Sequence, residues 1–280
     1  MVKVVDFFNL LLRRPDEACG RLEGIADSRL ESLWRKLPNY HTSNLASVCS
    51  SLHDEAGLPV DEFLAEPALR EIENQVQSGL DELPEDAPFP KGLNGDFAMA
   101  RLCYALCRAL RPLRVVETGV CYGVTSAFFL QALRQNDRGM LYSIDLPPLG
   151  RDASAFVGRL VPEDLRSRWE LLRGTSRRLL PRLLKRIGTV DLFIHDSLHT
   201  RRNMRRELRN VTPYLSSTAV VLSDDIEGNS AFCEWAEAVK PRYWAALQQQ
   251  DKSSLLGVAV ASVLECQILP RPQGSVVSRV

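Results

Sequence analysis

The 280-residue chain lacks an apolar run long enough to span a membrane, because its most apolar helical segment, LCYALCRAL, is flanked and interrupted by arginine. It also lacks a charge excess: 35 basic residues balance 35 acidic ones, so nothing favours nucleic acid or an anionic membrane as a partner. Internal repeats and low-complexity segments are absent too. These absences predict a globular protein whose partner is a small soluble molecule.

The seven cysteines include no Cys-x-x-Cys pair of the metal-binding type, and no secretory signal precedes them. We therefore expect a reducing, cytoplasmic setting. Cys103 and Cys107 lie one helical turn apart, which allows two interpretations. They are a redox pair, or, as we favour, two small apolar side chains buried on one face of a helix.

The chain divides into three parts. Residues 1–85 read as helices that carry no catalytic pattern, and three prolines within 81–92 interrupt helical periodicity and indicate a boundary. Residues 86–265 form the predicted working domain, and 266–280 are expected to be a flexible tail. The N-terminal helices can serve as a lid, a substrate-selecting cap or a dimer interface, so a homodimer stays open.

Apolar strands alternate with amphipathic helices in the working domain, which predicts a parallel sheet covered on both faces. Two apolar segments near the end, RYWAALQQQ and LLGVAVASVL, have no long helix between them and predict a closing antiparallel pair. The basic segment 201–209 is an RNA-binding patch or the solvated side of an amphipathic helix, and its apolar spacing favours the helix. The five parallel strands are predicted over 113–118, 140–145, 169–173, 190–195 and 219–224.

The segment Leu113 to Ser126, LRVVETGVCYGVTS, is the most informative in the chain. An apolar strand runs into Gly119 and Gly123, where missing side chains let a ligand approach the backbone. The spacing omits the middle glycine of a dinucleotide fingerprint, which weighs against a nucleotide-dependent oxidoreductase. Glu117, two residues before the first glycine, suits a cationic ligand, such as the sulfonium and amine of S-adenosylmethionine.

Acidic residues follow most of the other predicted strands, at the sheet edge where α/β proteins bind ligands. Asp145 can accept hydrogen bonds from both ribose hydroxyls of an adenosine, or it is a turn aspartate before Pro147. Asp196, Asp224 and Asp225 follow neighbouring strands, where they either cap helices or ligate a hard divalent ion such as Mg²⁺. We favour the metal site.

His199 lies three residues after Asp196, so both side chains can face one cavity. A histidine titrates near neutral pH and can take a proton from a substrate hydroxyl. We therefore predict that His199 is a general base, with Asp196 beside it in the catalytic machinery.

With these motifs the chain resembles the class I S-adenosylmethionine-dependent methyltransferases. FIHDSLHT and VLSDDIEGN are most similar to the metal-dependent macrocin-type sugar O-methyltransferases of antibiotic pathways and, more distantly, to catechol O-methyltransferase. The resemblance covers about residues 93–262. It implies an α/β, Rossmann-like fold with a seven-stranded, mostly parallel sheet and helices on both faces, and it leaves the N-terminal helical region unassigned.

The resemblance also implies roles for single residues. Glu117, Gly119, Gly123 and Thr125 would hold the methionine part of the cofactor, Asp145 the ribose and Ser176 the adenine side. Asp196, Asp224 and Asp225 would ligate Mg²⁺, with His199 as the base. The expected reaction is methyl transfer to a hydroxyl of a sugar, polyketide or phenol, as in secondary metabolism. A metal-independent O- or N-methyltransferase and a non-catalytic cofactor-binding module are the alternatives.

Overall fold

The computed structural model describes residues 7, 10–33, 37–89, 96–149, 153–250 and 253–262. The predicted tail lies outside them. None of the described helices has the length and apolar character that a bilayer crossing requires. In chain order the elements are α1 (Pro15–Leu33), β1 (Thr42–Ser43), α2 (Leu45–Ala56), α3 (Pro67–Asp81), α4 (Phe97–Leu110), β2 (Arg114–Thr118), α5 (Val124–Asn136), β3 (Met140–Asp145), α6 (Ala153–Phe156), β4 (Trp169–Arg173), α7 (Ser176–Ile187), β5 (Val190–His195), α8 (Arg201–Val211), β6 (Leu215–Ser223), α9 (Ala231–Val239), β7 (Tyr243–Gln248) and β8 (Leu255–Val260).

One eight-stranded sheet, in the order β1-β7-β8-β6-β5-β2-β3-β4, organises the fold. Every pairing is parallel except those of β8, which runs antiparallel to β6 and β7. The Rossmann-like α/β prediction and the closing antiparallel pair are therefore confirmed. The sheet has one strand more than predicted, because Thr42 and Ser43 pair with Ala246 and Leu247 on β7. Two polar residues give no strand pattern in sequence.

Three of the five predicted parallel strands have the predicted bounds, namely β3, β4 and β5. The strand β6 begins four residues earlier than predicted, at Leu215 rather than at 219. Its register against β5 shifts between Val190 and Leu192, and Ser217 and Thr218 are exposed there. Polar residues beside a register shift carry no apolar signal, which explains the missed start.

Apolar side chains from the two faces of the sheet form two separate cores. Val115 packs with α4 and α5 on one face, whereas its neighbour Val116 packs with α7, α8 and α9 on the other. Side chains of α2 and α3 join the first core, which ties much of the N-terminal region to this domain. On α8 the apolar face is buried, as its spacing predicts, with Met204 and Leu208 fully inaccessible.

The N-terminal helix α1 lies elsewhere, across the carboxyl edge of the sheet. Gly20 faces Thr175, which follows β4, and Gly24 faces Leu198, which follows β5. The Arg21 guanidinium donates to the Pro147 carbonyl at 2.6 Å, just beyond the end of β3. Thus α1 contacts the loops after three strands, at the edge where the sequence predicts the functional site.

Candidate active site

The ends of the central strands are joined by backbone hydrogen bonds that bring the predicted residues together. The Asp196 N–H donates to the Thr118 carbonyl at 2.8 Å, and the Asp224 N–H donates to the His195 carbonyl at 2.8 Å. The Gly119 N–H donates to the Ile144 carbonyl at 2.8 Å, which links the glycine loop to β3. The predicted residues therefore lie close together because the parallel strands are paired so that their carboxyl ends are aligned.

Gly119 and Gly123 both have positive φ, 89° and 92°, a conformation that side chains disfavour. A Cβ on Gly119 would overlap the Asp196 carbonyl oxygen, and one on Gly123 would lie 2.8 Å from the Gly158 Cα. The chain thus requires both glycines for its own backbone packing. Their predicted cofactor contacts stay a prediction.

Asp145 supports the glycine loop with one of its carboxylate oxygens. Its Oδ2 accepts the Val120 N–H at 2.8 Å and the Cys121 N–H at 3.2 Å. Its Oδ1 is buried and has no partner among the described residues. Burial raises the pKa of this carboxyl, although the two backbone donors oppose that shift. An unpaired buried acceptor is costly, so Oδ1 is suited to a ligand hydroxyl.

Glu117 is almost wholly buried within the sheet. Its Oε2 accepts the hydroxyls of Ser126 and Ser143, both at 2.6 Å. Burial raises the pKa of Glu117 to about 7, because the two hydroxyl donors and the interior only partly replace water around the charged form. Thr125 is buried in the first turn of α5. The roles predicted for Glu117 and Thr125 toward the methionine part stay predictions.

The raised pKa predicts a pH-dependent stability for the ligand-free protein. Between pH 4.5 and about 7 the folded state holds a proton on Glu117 that the unfolded chain has lost, so stability falls as pH rises. We expect Glu117→Gln to remove this slope and to raise unfolding free energy at pH 8 by about 3 kcal/mol. Urea unfolding at pH 5 and pH 8 measures it, with exposed Glu163→Gln as the control. Equal pH slopes for Glu117→Gln and the native protein would contradict the assignment.

Asp196, His199 and Asp224 form a compact group at the carboxyl edge, called the acidic group below. Each offers one ligand atom, and these atoms lie within 4.8 Å of one another, close enough to hold a metal ion. Asp225 is adjacent: its Oδ2 lies 3.6 Å from the His199 Nε2, and the Asp196 Oδ1 lies 3.8 Å from the same nitrogen. The sequence predicted Asp225, rather than His199, as the third ligand.

The His199 side chain keeps 31% of its surface exposed, so a ligand in the cleft can reach it. Burial and the nearby His195 lower the pKa of His199, while Asp225 and Asp224 oppose the shift. A lowered pKa leaves the imidazole neutral near pH 7, the form that accepts a proton or a metal. The His199 Nε2 can therefore accept a proton or ligate a metal ion.

Two polar residues that the sequence did not single out complete the surroundings of this group. Gln249, just after β7, donates through Nε2 to the Asp224 carboxylate. Asn229 donates to the His199 carbonyl at 3.2 Å and accepts the Ala231 N–H, so it fixes backbone. Gln249 lies in no motif, whereas Asn229 is the last residue of the VLSDDIEGN motif, where no role was predicted for it.

Glu207 is the third residue that sequence reasoning missed. It lies in the arginine-rich segment 201–209, but three residues after Met204 and four before Val211, on the apolar face of α8. Although burial opposes ionisation, the His195 ring and hydrogen bonds from His195, Ser176 and Thr118 hold the pKa of Glu207 at about 2. Ser176, predicted near adenine, begins α7 and contacts this carboxylate. The signal that could have identified Glu207 is an acidic residue at a position on the apolar face of the helix.

The two cysteines of α4 have the environment favoured in the sequence interpretation. Cys103 and Cys107 are buried free thiols. Burial raises the pKa of both thiols, which disfavours the reactive thiolate form. They act as small apolar side chains of the first core.

Residues 116–226 match the family described as a methyltransferase domain. A search of curated proteins found no match. The O-methyltransferase TomG of Streptomyces achromogenes, involved in tomaymycin synthesis and solved with S-adenosylmethionine, superimposes with a TM-score of 0.51 at 17% identity, covering 78% of this chain and 97% of TomG. An O-methyltransferase from Bacillus cereus, solved with S-adenosylhomocysteine, gives 0.50 at 12% identity, covering 77% and 97%.

At these identities the likeness concerns the fold, whereas the domain match concerns the sequence between β2 and the turn after β6. That span contains the glycine loop, Asp145 and the acidic group. The domain match and the shared fold together indicate a methyltransferase domain with a Rossmann-like fold over residues 116–226.

Proposed function

We propose that the chain transfers a methyl group from S-adenosylmethionine to a hydroxyl of a small molecule, with assistance from a divalent ion. The observation that carries the proposal is the group Asp196, His199 and Asp224, which lies beside the glycine loop at one sheet edge. A cationic methyl donor and a hydroxyl acceptor would meet there. The O-methyltransferase names of the two solved relatives agree with this acceptor.

The residues of the first strands fit the cofactor. The unpartnered, buried Asp145 Oδ1 is available to a ribose hydroxyl, and its Oδ2 keeps the glycine loop in place. Glu117 carries negative charge above pH 7, which suits the amine of the methionine part. Thr125 and Ser176 would contact the carboxylate and adenine ends, as the family resemblance implies.

The acidic group fits a divalent ion, because the carboxylates of Asp196 and Asp224 bring oxygens within 4.8 Å of each other, and carboxylates this close repel each other without a cation. We assign the ion to the carboxylates of Asp196 and Asp224 and, as the family resemblance implies, to the adjacent Asp225, because carboxylate oxygens are donors of the kind that Mg²⁺ prefers. When bound, the ion would lower the pKa of a substrate hydroxyl. His199 Nε2 then accepts the hydroxyl proton as the substrate oxygen attacks the methyl carbon and the methyl–sulfur bond breaks, leaving S-adenosylhomocysteine.

We assign α1 the part of a lid over this site, one of the three roles that sequence left open. Four ion pairs join it to the last residue of β4 and to residues after β4 and β5, and the glycine at 20 allows close approach to Thr175. Such contacts are polar and salt-sensitive, so they permit opening. The four pairs are Asp16 with Arg178, Glu17 with Arg173, Glu23 with Arg177 and Asp27 with Arg202.

Removal of divalent ions tests the metal assignment. We expect EDTA to abolish methyl transfer from radiolabelled S-adenosylmethionine to acceptors with neighbouring hydroxyls, tested as a panel of catechols and vicinal-diol sugars. Mg²⁺ or Mn²⁺ added in excess should restore it. Full turnover in EDTA would contradict the metal part.

The close contact of His199 with two carboxylates also favours a second candidate, a metal-independent methyltransferase. Asp196 and Asp225 lie within 4 Å of the His199 Nε2 and can orient and charge-stabilise a protonated imidazole directly. In that case EDTA would leave turnover unchanged, while His199→Ala would still abolish it. The same assay therefore separates the two candidates.

A further inference from the structure

Glu207 has one fully buried carboxylate, which accepts hydrogen bonds from β2, from β5, from the loop after β5 and from a residue one turn earlier on α8 itself. Its Oε2 accepts the Thr118 hydroxyl at 2.6 Å and lies 2.7 Å from the His195 Nδ1. Its Oε1 accepts the Ser197 hydroxyl at 2.9 Å and the Asn203 amide at 3.0 Å. Both oxygens of a charged group inside the protein are thus occupied by donors.

The donors converge on the loop between β5 and α8, which carries Asp196 and His199. Ser197 lies between those two residues, and Asn203 also donates to the Leu198 carbonyl at 3.0 Å. The neighbouring His195 ring packs edge-on against the His199 ring, with centroids 5.7 Å apart. Every residue from 195 to 199 is therefore part of this network or flanked by a residue that is.

We infer that Glu207 is a positioning residue: from beneath the loop, it holds the carboxylate of Asp196 and the imidazole of His199 in the geometry that the proposed reaction needs. This inference rests on the proposed function. Glu207 is fully buried and has no access to the cleft, and its carboxylate acts on Asp196 and His199 through the donors that it holds, so its action is indirect. Residues beneath metal ligands commonly set ligand orientation in this way.

Burial of a charge disfavours any purely space-filling explanation. Burying a carboxylate is costly unless donors surround it, and an apolar side chain fills a helix face at lower cost. A buried carboxylate that accepts several hydrogen bonds, in contrast, fixes the orientation of each donor group. The donors Thr118, His195, Ser197 and Asn203 lie in the loop or immediately beside it in space.

The test compares Glu207→Gln with Glu66→Gln, using the whole protein. Glu66 also accepts hydrogen bonds from charged and polar side chains, Arg108 and Tyr104, but lies between α3 and α4 at a distance from the edge. We expect Glu207→Gln to weaken Mn²⁺ binding, followed by electron paramagnetic resonance, by about 10-fold or more. S-adenosylhomocysteine affinity should stay nearly unchanged, and Glu66→Gln should lower thermal stability without changing Mn²⁺ affinity.

Unchanged Mn²⁺ affinity in folded Glu207→Gln would overturn the inference. If the native protein itself fails to bind Mn²⁺, the metal assignment fails, and the crystal structure of Glu207→Gln then decides on positioning. A displaced 196–199 loop on an otherwise unchanged fold supports it, and an unmoved loop overturns it. Should Glu207→Gln fail to fold, Ser197→Ala removes one donor, and a smaller loss of Mn²⁺ affinity is expected.

Discussion

Replacing Asp196 by alanine is expected to lower methyl-transfer turnover by about 10²- to 10³-fold while S-adenosylhomocysteine still binds. The Asp196 side chain belongs to the compact group with His199 and Asp224, and the proposed cofactor contacts come from other strands. Loss of its charge therefore affects the reacting hydroxyl rather than the cofactor. Steady-state rates measure the loss of turnover, and calorimetric titration with S-adenosylhomocysteine measures the retained affinity for the cofactor product.

Asp191→Ala is the matched control, because Asp191 lies near the start of β5, at the opposite edge of the sheet, whereas Asp196 follows the end of β5. There its carboxylate accepts the backbone N–H groups of Leu113 and Arg114 at 2.8 and 3.1 Å. We expect it to reduce stability and leave turnover per folded molecule intact. If Asp196→Ala retained native turnover, or if Asp191→Ala lost as much, the assignment of the carboxyl edge would be wrong.

Locking α1 to the loop after β4 is expected to slow exchange of S-adenosylhomocysteine by at least about tenfold. A Cβ built on Gly20 lies 3.5 Å from the Thr175 Cβ, within the range that a disulfide bridges. Thr175→Cys also removes the methyl group that Gly20→Cys would meet. Thr175 precedes α7 without a side-chain capping bond, so its loss leaves that helix start intact.

The double variant requires Cys19→Ser, since Cys19 is exposed and adjacent to the new thiol. Ligand release is followed by displacement of labelled S-adenosylhomocysteine before and after oxidation, and reductant should restore the native rate. Gly20→Cys with Cys19→Ser alone controls for the substitution. Equal release rates in the oxidised and reduced double variant would show that α1 is no lid.

The strands and the residues after them were predictable because local patterns determine both. Buried apolar runs determined β3 and β5. Asp145 ends β3, Asp196 and Asp224 directly follow β5 and β6, and parallel pairing brings these strand ends together. The position of α1 was not predictable, because its partners lie more than a hundred residues away in sequence. Ion pairs between such distant segments leave no periodic signal.

The residues that surround the acidic group could not be predicted from the sequence for the same reason. The roles of Glu207 and Gln249 depend on hydrogen bonds to Ser197 and Asp224, which lie on other elements of the fold. A motif also cannot distinguish whether His199 or Asp225 faces an ion more closely, because that depends on side-chain geometry. The αL backbone of Asp225, φ 54°, turns its carboxylate in a direction that no spacing rule gives.

Crystals grown with S-adenosylhomocysteine and Mn²⁺, measured for anomalous diffraction, test the central claim most directly. We expect one Mn²⁺ peak at about 2.2 Å from carboxylate oxygens of Asp196, Asp224 and Asp225. We also expect the ribose hydroxyls to lie against the Asp145 Oδ1. A Mn²⁺ peak elsewhere, or none, together with a ribose away from Asp145, would contradict the central claim.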